Sequence, residues 1–145
     1  MEDCIFCKIV RGEAPAAKVY EDERTLVLLD IFPVTDGHTL VITKEHAANF
    51  FAASPRSLQA VMATAKRVAH AIDSVLHPDG LMVFQLNGAA AGQSVFHYHM
   101  HLMPRAHGEP LALHARQPGD PNRLRELAAA LAAVIANSPQ APAGR

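Results

Sequence analysis

The chain has 145 residues, a formal net charge of −1 at pH 7 and 50% hydrophobic residues. That length suits one domain able to bury a core of its own. The near-zero charge removes the broad basic footprint that non-specific nucleic-acid or anionic-membrane binding needs, although a small phosphate ligand requires only local donors. No apolar run approaches the roughly 20 residues needed to span a bilayer, and the opening MEDCIFCKIV is acidic, with too short an apolar segment for a secretory signal. A cytoplasmic location is therefore the expectation, and in a reducing compartment the CxxC of Cys4 and Cys7 points to metal or redox chemistry rather than a disulfide.

In chain order, KVYEDERTLVLLD carries two short β-rich runs around Glu21, Asp22 and Glu23, which predicts a hairpin, and HTLVITKEH adds a third strand. From Ser54 the pattern changes. Ser54 suits an N-cap, Pro55 suits the first helical position, and Leu58, Val61, Met62, Ala65, Val68, Ala69, Ile72, Val75 and Leu76 recur at helical spacing. This long helix should end near His77 and Pro78. LMVFQLN and FHYHMHLM read as two further strands joined by the glycine-bearing GAAAGQS. Asp120 and Pro121 repeat the start signal for a second helix with Leu124, Leu127, Leu131 and Val134 on one face. The expected fold is α+β, a mainly antiparallel sheet with one long central helix and a C-terminal helix. Residues 1–137 form a single domain in this reading, and SPQAPAGR (138–145) a disordered tail.

The densest chemistry lies in SVFHYHMHLMPR, residues 94–105. On a strand, His97, His99 and His101 share one face while Tyr98, Met100 and Leu102 face the core. The backbones of His97 and His101 would stand roughly 13 Å apart, whereas an imidazole reaches a metal from only about 6 Å at a Zn–N distance of about 2 Å. Three-fold convergence on one ion would be strained; two neighbours could share a metal and leave the third for other work. A neutral imidazole, with an ordinary pKa near 6.5, is an available nucleophile, and a hydrogen bond from one ring nitrogen to a carbonyl would fix the tautomer that presents the other.

HYHMHLM resembles the signature of the histidine triad (HIT) superfamily of nucleotide hydrolases and transferases. CIFCKIV, LVLLDIFPVTDGHTLVITKEH and NGAAAGQSVFHYHMHLMPR resemble, in order, the N-terminal, central and catalytic segments of bacterial HIT proteins of the Hint-like branch. The resemblance implies that His99 is the nucleophile, attacking an α-phosphorus to give a nucleotidyl-imidazole that water cleaves. It implies that His101 and His38 surround the phosphate as N–H donors, that Gln93 and Ser94 supply phosphate contacts beside Val95, and that Gly92 lets the backbone approach. Asp30 resembles the ribose-binding acid, its carboxylate able to accept from both hydroxyls. Ile5, Phe6, Ile9 and Ile31 resemble the residues that sandwich the base, and Asn87 an asparagine near sugar and phosphate.

For the cysteines, the resemblance implies a structural zinc held by Cys4, Cys7, His46 and His97, a closed tetrahedral site that would not activate water. A metal-free CxxC is the competing reading. His70, His77, His107 and His114 have no motif support; His70 and His77 should lie on a helix surface or end. The family also implies a homodimer and a purine nucleotide ligand such as AMP or an adenosine phosphoramidate, with no nucleic-acid or membrane partner. Dinucleoside polyphosphate hydrolysis is the close enzymatic rival. A nucleotide-binding protein with incidental hydrolysis and an open-site zinc enzyme are the alternatives of different class.

Overall fold

The computed structural model describes residues 3–138. The expected hairpin forms from β1 (Lys18–Glu21) and β2 (Thr25–Leu29), paired antiparallel. Asp22 makes its turn: one carboxylate oxygen accepts from the Arg24 and Thr25 amides at 2.9 and 2.8 Å and from the Thr25 hydroxyl at 3.0 Å. These local bonds offer the backbone a turn in place of a continued ladder. Strand β3 (Thr39–Thr43), β4 (Gly80–Phe84) and β5 (His99–Arg105) complete an antiparallel sheet of order β1-β2-β3-β5-β4.

Every residue of β2 and β3 is buried, so the centre of the sheet is covered on both faces. The strand period sorts the side chains. Val27, Leu29, Val41, Met100 and Leu102 face the helices, packing with Val61, Val68 and Ile72 of α2 (Pro55–Leu76) and Leu127 and Leu131 of α3 (Pro121–Asn137). Leu26, Leu28, Leu40 and Ile42 face the other way, against Phe6 and Ile9 of a short helix α1 (Ile5–Val10). At roughly 25 cal/mol per Å² of buried apolar surface, both layers drive folding, but only the first is thick enough to form the main core.

Both long helices begin as their sequences predict. Ser54 and Asp120 accept from the amides of Ser57 and Asn122, each ahead of a proline in the first turn, which satisfies amides that no helical carbonyl can reach. Helix α2 ends at His77 in the left-handed region, φ 48°. Three elements differ from expectation. Helix α1 was not foreseen: six residues are too few to nucleate on propensity, and it stands on the Cys4 cap and tertiary contacts. Strand β4 stops at Phe84, leaving Gln85–Asn87 in the following loop. Strand β5 starts at His99, not Phe96, because β3 ends at Thr43 and the Tyr98 amide donates instead to the Ala47 carbonyl at 2.7 Å. The tail expected from 138 lies, after Ser138, outside the described residues.

Gly37, just before β3, has φ +92°, and a Cβ there would fall on Leu76 Cδ1 and 3.1 Å from Pro104 Cγ. Gly37→Ala is expected to destabilise by roughly 1–3 kcal/mol from left-handed strain and overpacking. A thermal melt checks this; an unchanged Tm would contradict the close packing of this turn.

Candidate functional site

Two histidine clusters lie on the α1 side of the sheet. In the first, Cys4 caps α1, Cys7 sits one turn later with its amide 3.4 Å from Cys4 Sγ, His46 follows β3 and His97 precedes β5. Cys4 Sγ lies 3.3 Å from His97 Nδ1; Cys7 Sγ lies 3.1 Å from His46 Nδ1 and 3.5 Å from His97 Nδ1; the two Nδ1 atoms are 3.3 Å apart. A tetrahedral zinc with bonds of about 2.3 Å to sulfur and about 2.05 Å to nitrogen places N and N about 3.3 Å apart and S and N about 3.5 Å apart. The donor set fits that ion. His97 Nε2–H donates to the Thr43 carbonyl at 2.6 Å, which leaves Nδ1 as the lone pair facing the cysteines. Burial pushes the Cys7 thiol up, with Cys4's hydrogen bond and charge adding to it, so a dication is what would hold this sulfur as thiolate. Four protein ligands would close the coordination shell of such an ion, leaving no open position for water.

The second cluster is His38, His99 and His101. His99 Nδ1–H donates to its neighbour's carbonyl, His97 O, at 2.6 Å, leaving Nε2 unprotonated. Phe6 meets this ring edge-on with centroids 5.0 Å apart. The other two imidazoles form a chain whose proton positions follow from its outer donor. The Val34 amide donates to His38 Nδ1 at 3.2 Å, so the His38 proton is on Nε2. That Nε2–H donates to His101 Nδ1 at 2.9 Å, so the His101 proton is on Nε2. Phe84 stacks on the His101 ring, centroids 4.4 Å apart and planes 4° from parallel. The site thus holds one ring with a free lone pair and one with a free N–H.

Burial holds all three rings neutral. It pushes His38 down to about 4, with the charges of His114 and His99 adding, and His101 down to about 3, with those of His99, His38 and His114 adding. His99 is lowered by burial too, partly opposed by its bond to His97 and by the Asp30 carboxylate. For a buried neutral histidine the unfolded chain takes up protons that the native state refuses. The stability contribution is therefore whole above the ordinary pKa of 6.5 and is lost as pH falls from there towards the folded values near 4 and 3. Unfolding free energies from denaturant titrations across that window are expected to fall by up to about 1.4 kcal/mol per pH unit per ring; a flat profile would contradict the neutral pair.

A cavity of about 480 Å³ opens over His99 and His101. Ile5, Phe6, Ile9 and Ile31 form its apolar wall, with Asp30 among them and Ser94 and Val95 beside the histidines. Nine of the site residues singled out in the sequence thus share one space. Asp30 accepts from the Phe32 amide at 2.9 Å and stands 3.7 Å from His38 Nε2; burial raises its pKa, opposed by that amide and by His99. His38 stands behind His101, outside the lining. Gln93, Gly92 and Asn87 also stand outside it. Gln93 is buried and bonded to backbone throughout: its amide donates to Ala48 and Val95 carbonyls at 2.6 and 3.1 Å and its oxygen accepts from the Gly88 amide at 2.7 Å. Asn87 Oδ1 accepts from the Phe50 amide at 2.8 Å. These two side chains shape the loop that presents Ser94. Of the histidines without motif support, His70 and His77 are exposed on and at the end of α2, whereas His114 lines the cavity. Neither His114, on a loop with no periodic pattern, nor Phe84, set by cross-strand register, carried a signal in the sequence.

An antiparallel α+β scaffold carries a histidine pair over an apolar cavity, and comparison places that arrangement. The HIT domain family matches residues 11–108. Protein hit of Bacillus subtilis is 50% identical over 104 residues, 72% of this chain and 72% of that protein. Adenylylsulfatase HINT3 of Arabidopsis thaliana is 41% identical over 103 residues, 71% of this chain and 52% of that protein. The crystal structure of a Zn-bound histidine triad family protein from Mycobacterium smegmatis superposes with a TM-score of 0.82 at 41% identity, covering 93% of this chain and 94% of that one. The chain belongs to the HIT domain family.

Proposed function

We propose that this chain is a nucleotidyl hydrolase or transferase that cleaves at the α-phosphate of a purine nucleoside phosphoramidate or adenylate and releases a nucleoside monophosphate. The observation that carries this is the His99 ring, tied at Nδ1 to His97 O at 2.6 Å so that the Nε2 lone pair is the one left for the cavity. The base would lie against Ile5, Phe6, Ile9 and Ile31, with Asp30 accepting from the ribose. His99 Nε2 attacks phosphorus and the bond to the leaving group breaks. The ring then carries hydrogen on Nδ1 and phosphorus on Nε2, a cation favoured by the His97 carbonyl and the Asp30 charge. His101 Nε2–H, held in that tautomer by His38, donates to a phosphate oxygen or to the departing atom, as Ser94 does from the adjacent turn. Water then cleaves the Nε2–P bond, its hydroxyl going to phosphorus and its proton to solvent, which restores the neutral ring. The departing group takes its proton from solvent in turn, since a neutral His101 can hydrogen-bond to it but not ionise.

An adenylylsulfatase among the relatives supports an adenylyl substrate with a small leaving group. The decisive measurement is AMP release from an adenosine phosphoramidate, adenosine phosphosulfate and a dinucleoside polyphosphate, compared in competition. Preference for the first two is expected. Faster cleavage of the third would move the assignment to dinucleoside polyphosphates, and AMP binding without any product would leave a binding protein.

Zinc in the Cys4, Cys7, His46 and His97 site belongs to this proposal as a structural ion, supported by the ligand spacing and the Zn-bound relative. So does a homodimer: β4 is an edge strand, and the adjoining apolar surface of Met62, Ala69 and Val83 is open, Met62 60% and Val83 50% exposed. Among the described residues no helix is long and apolar enough to cross a membrane, in keeping with the cytoplasmic setting proposed here.

A further inference from the structure

If the cavity holds a nucleotide, its phosphate end lacks a fixed cation. Among the described residues that line the cavity there is no lysine or arginine. His99 and His101 are neutral by burial, as is His38 behind them, and Asp30 adds negative charge when ionised. An anionic ligand in so apolar a space needs a partner, because an unpaired buried charge is costly. The exposed imidazole at the rim is His114.

His114 belongs to the loop between β5 and α3, which is fastened at both ends. The Arg105 guanidinium donates to the Glu109 and Pro110 carbonyls at 3.2 and 2.8 Å, and the Gly119 amide donates to the Ile31 carbonyl at 2.8 Å. Between these anchors the loop crosses the cavity mouth, where Leu113, His114 and Ala115 join its lining. His114 Nε2–H donates to the Gly92 carbonyl at 2.8 Å, in the turn that presents Ser94. Gly92 sits at φ +98°, a backbone conformation that favours glycine, so the turn that offers this carbonyl depends on it. With Nε2 engaged, Nδ1 is the ring's remaining polar atom. Protonation makes it a second N–H donor without breaking the carbonyl bond. His114 shares the cavity with Asp30, His99 and His101.

We propose that His114 is the cationic phosphate-binding residue of this pocket, an imidazolium pinned to the Gly92 turn whose Nδ1–H pairs with an anionic oxygen of the bound nucleotide. Imidazole is the side chain that gains charge near neutral pH, and a neighbouring phosphate favours the charged form. The inference rests on the nucleotide reading above and goes beyond it. His114 lies past residue 108, where the family match ends.

The test is calorimetric affinity for AMP and for adenosine, measured on the zinc-loaded wild type, His114→Ala and His114→Lys. Loss of a charge-assisted hydrogen bond predicts that His114→Ala weakens AMP binding about tenfold and leaves adenosine within about twofold, with His114→Lys regaining much of the AMP affinity. An equal loss for both ligands, meaning that His114 only packs the loop, overturns the inference, as does an unchanged AMP affinity. Either result leaves the nucleotide reading intact. A wild type that binds neither ligand overturns that reading and the clamp together.

Discussion

His99→Ala is expected to reduce AMP release by about a thousandfold or more while leaving the fold and AMP binding in place. The size follows from what the ring does. It is the group with a lone pair directed by a 2.6 Å bond to a backbone carbonyl, and water acting directly would have to supply the same displacement without a fixed trajectory. Preservation of the fold follows from position. His99 faces the cavity, whereas its neighbours Tyr98 and Met100 face the main core; truncation removes a contact with Phe6 and leaves the helix layer intact. Acid-quenched wild type should carry a nucleotidyl group on His99, and the variant none. Turnover at the wild-type rate in a folded variant would sink the mechanism.

The second large effect belongs to the metal cluster. Cys7→Ser should lower the metal content by about one zinc per chain and the Tm by roughly 15 °C. That figure assumes an ion at about a thousand times its Kd, which contributes about 4 kcal/mol, and roughly 4 °C per kcal/mol for a domain of this size. Chelation of the wild type should reproduce the drop, and re-addition of zinc should reverse it in the wild type alone. The damage should spread from α1, where Cys4 is both N-cap and proposed zinc ligand and where Phe6 and Ile9 wall the cavity. Weaker nucleotide binding is therefore expected to accompany zinc loss. Full zinc occupancy in Cys7→Ser, or a Tm indifferent to chelation, would remove the ion from the account of stability.

What could be read in the chain and what could not divide along physical lines. Ser54-Pro55 and Asp120-Pro121 act within one turn of chain, and both helices start where those pairs stand. The alternation of His99, Met100, His101 and Leu102 follows from the pleat, and the structure sorts these residues between cavity and core accordingly. The convergence of Cys4, Cys7, His46 and His97 was legible only through the family resemblance, since no local rule joins positions 90 residues apart. Contacts made by the course of a loop stayed hidden. Gln93 and Asn87 satisfy backbone amides and carbonyls rather than line the cavity, and His114 crosses to Gly92 from a segment without pattern. Helix α1 is of the same kind, being too short to announce itself.

The chain of bonds from Val34 through His38 to His101 has a direction. It begins at a peptide amide, a group that donates but does not ionise, so its inner end is a dead end for protons. Each imidazole carries a single proton, and a neutral His101 stripped of its own would be an imidazolate, so the pair can aim an N–H at the departing group but cannot give that proton away. The proton that a departing group takes up has to come from the solvent side, across the cavity mouth where His114 stands. The histidine pair is in this sense a terminus: it fixes where a hydrogen bond points, while protons come and go through the same opening that a ligand would use.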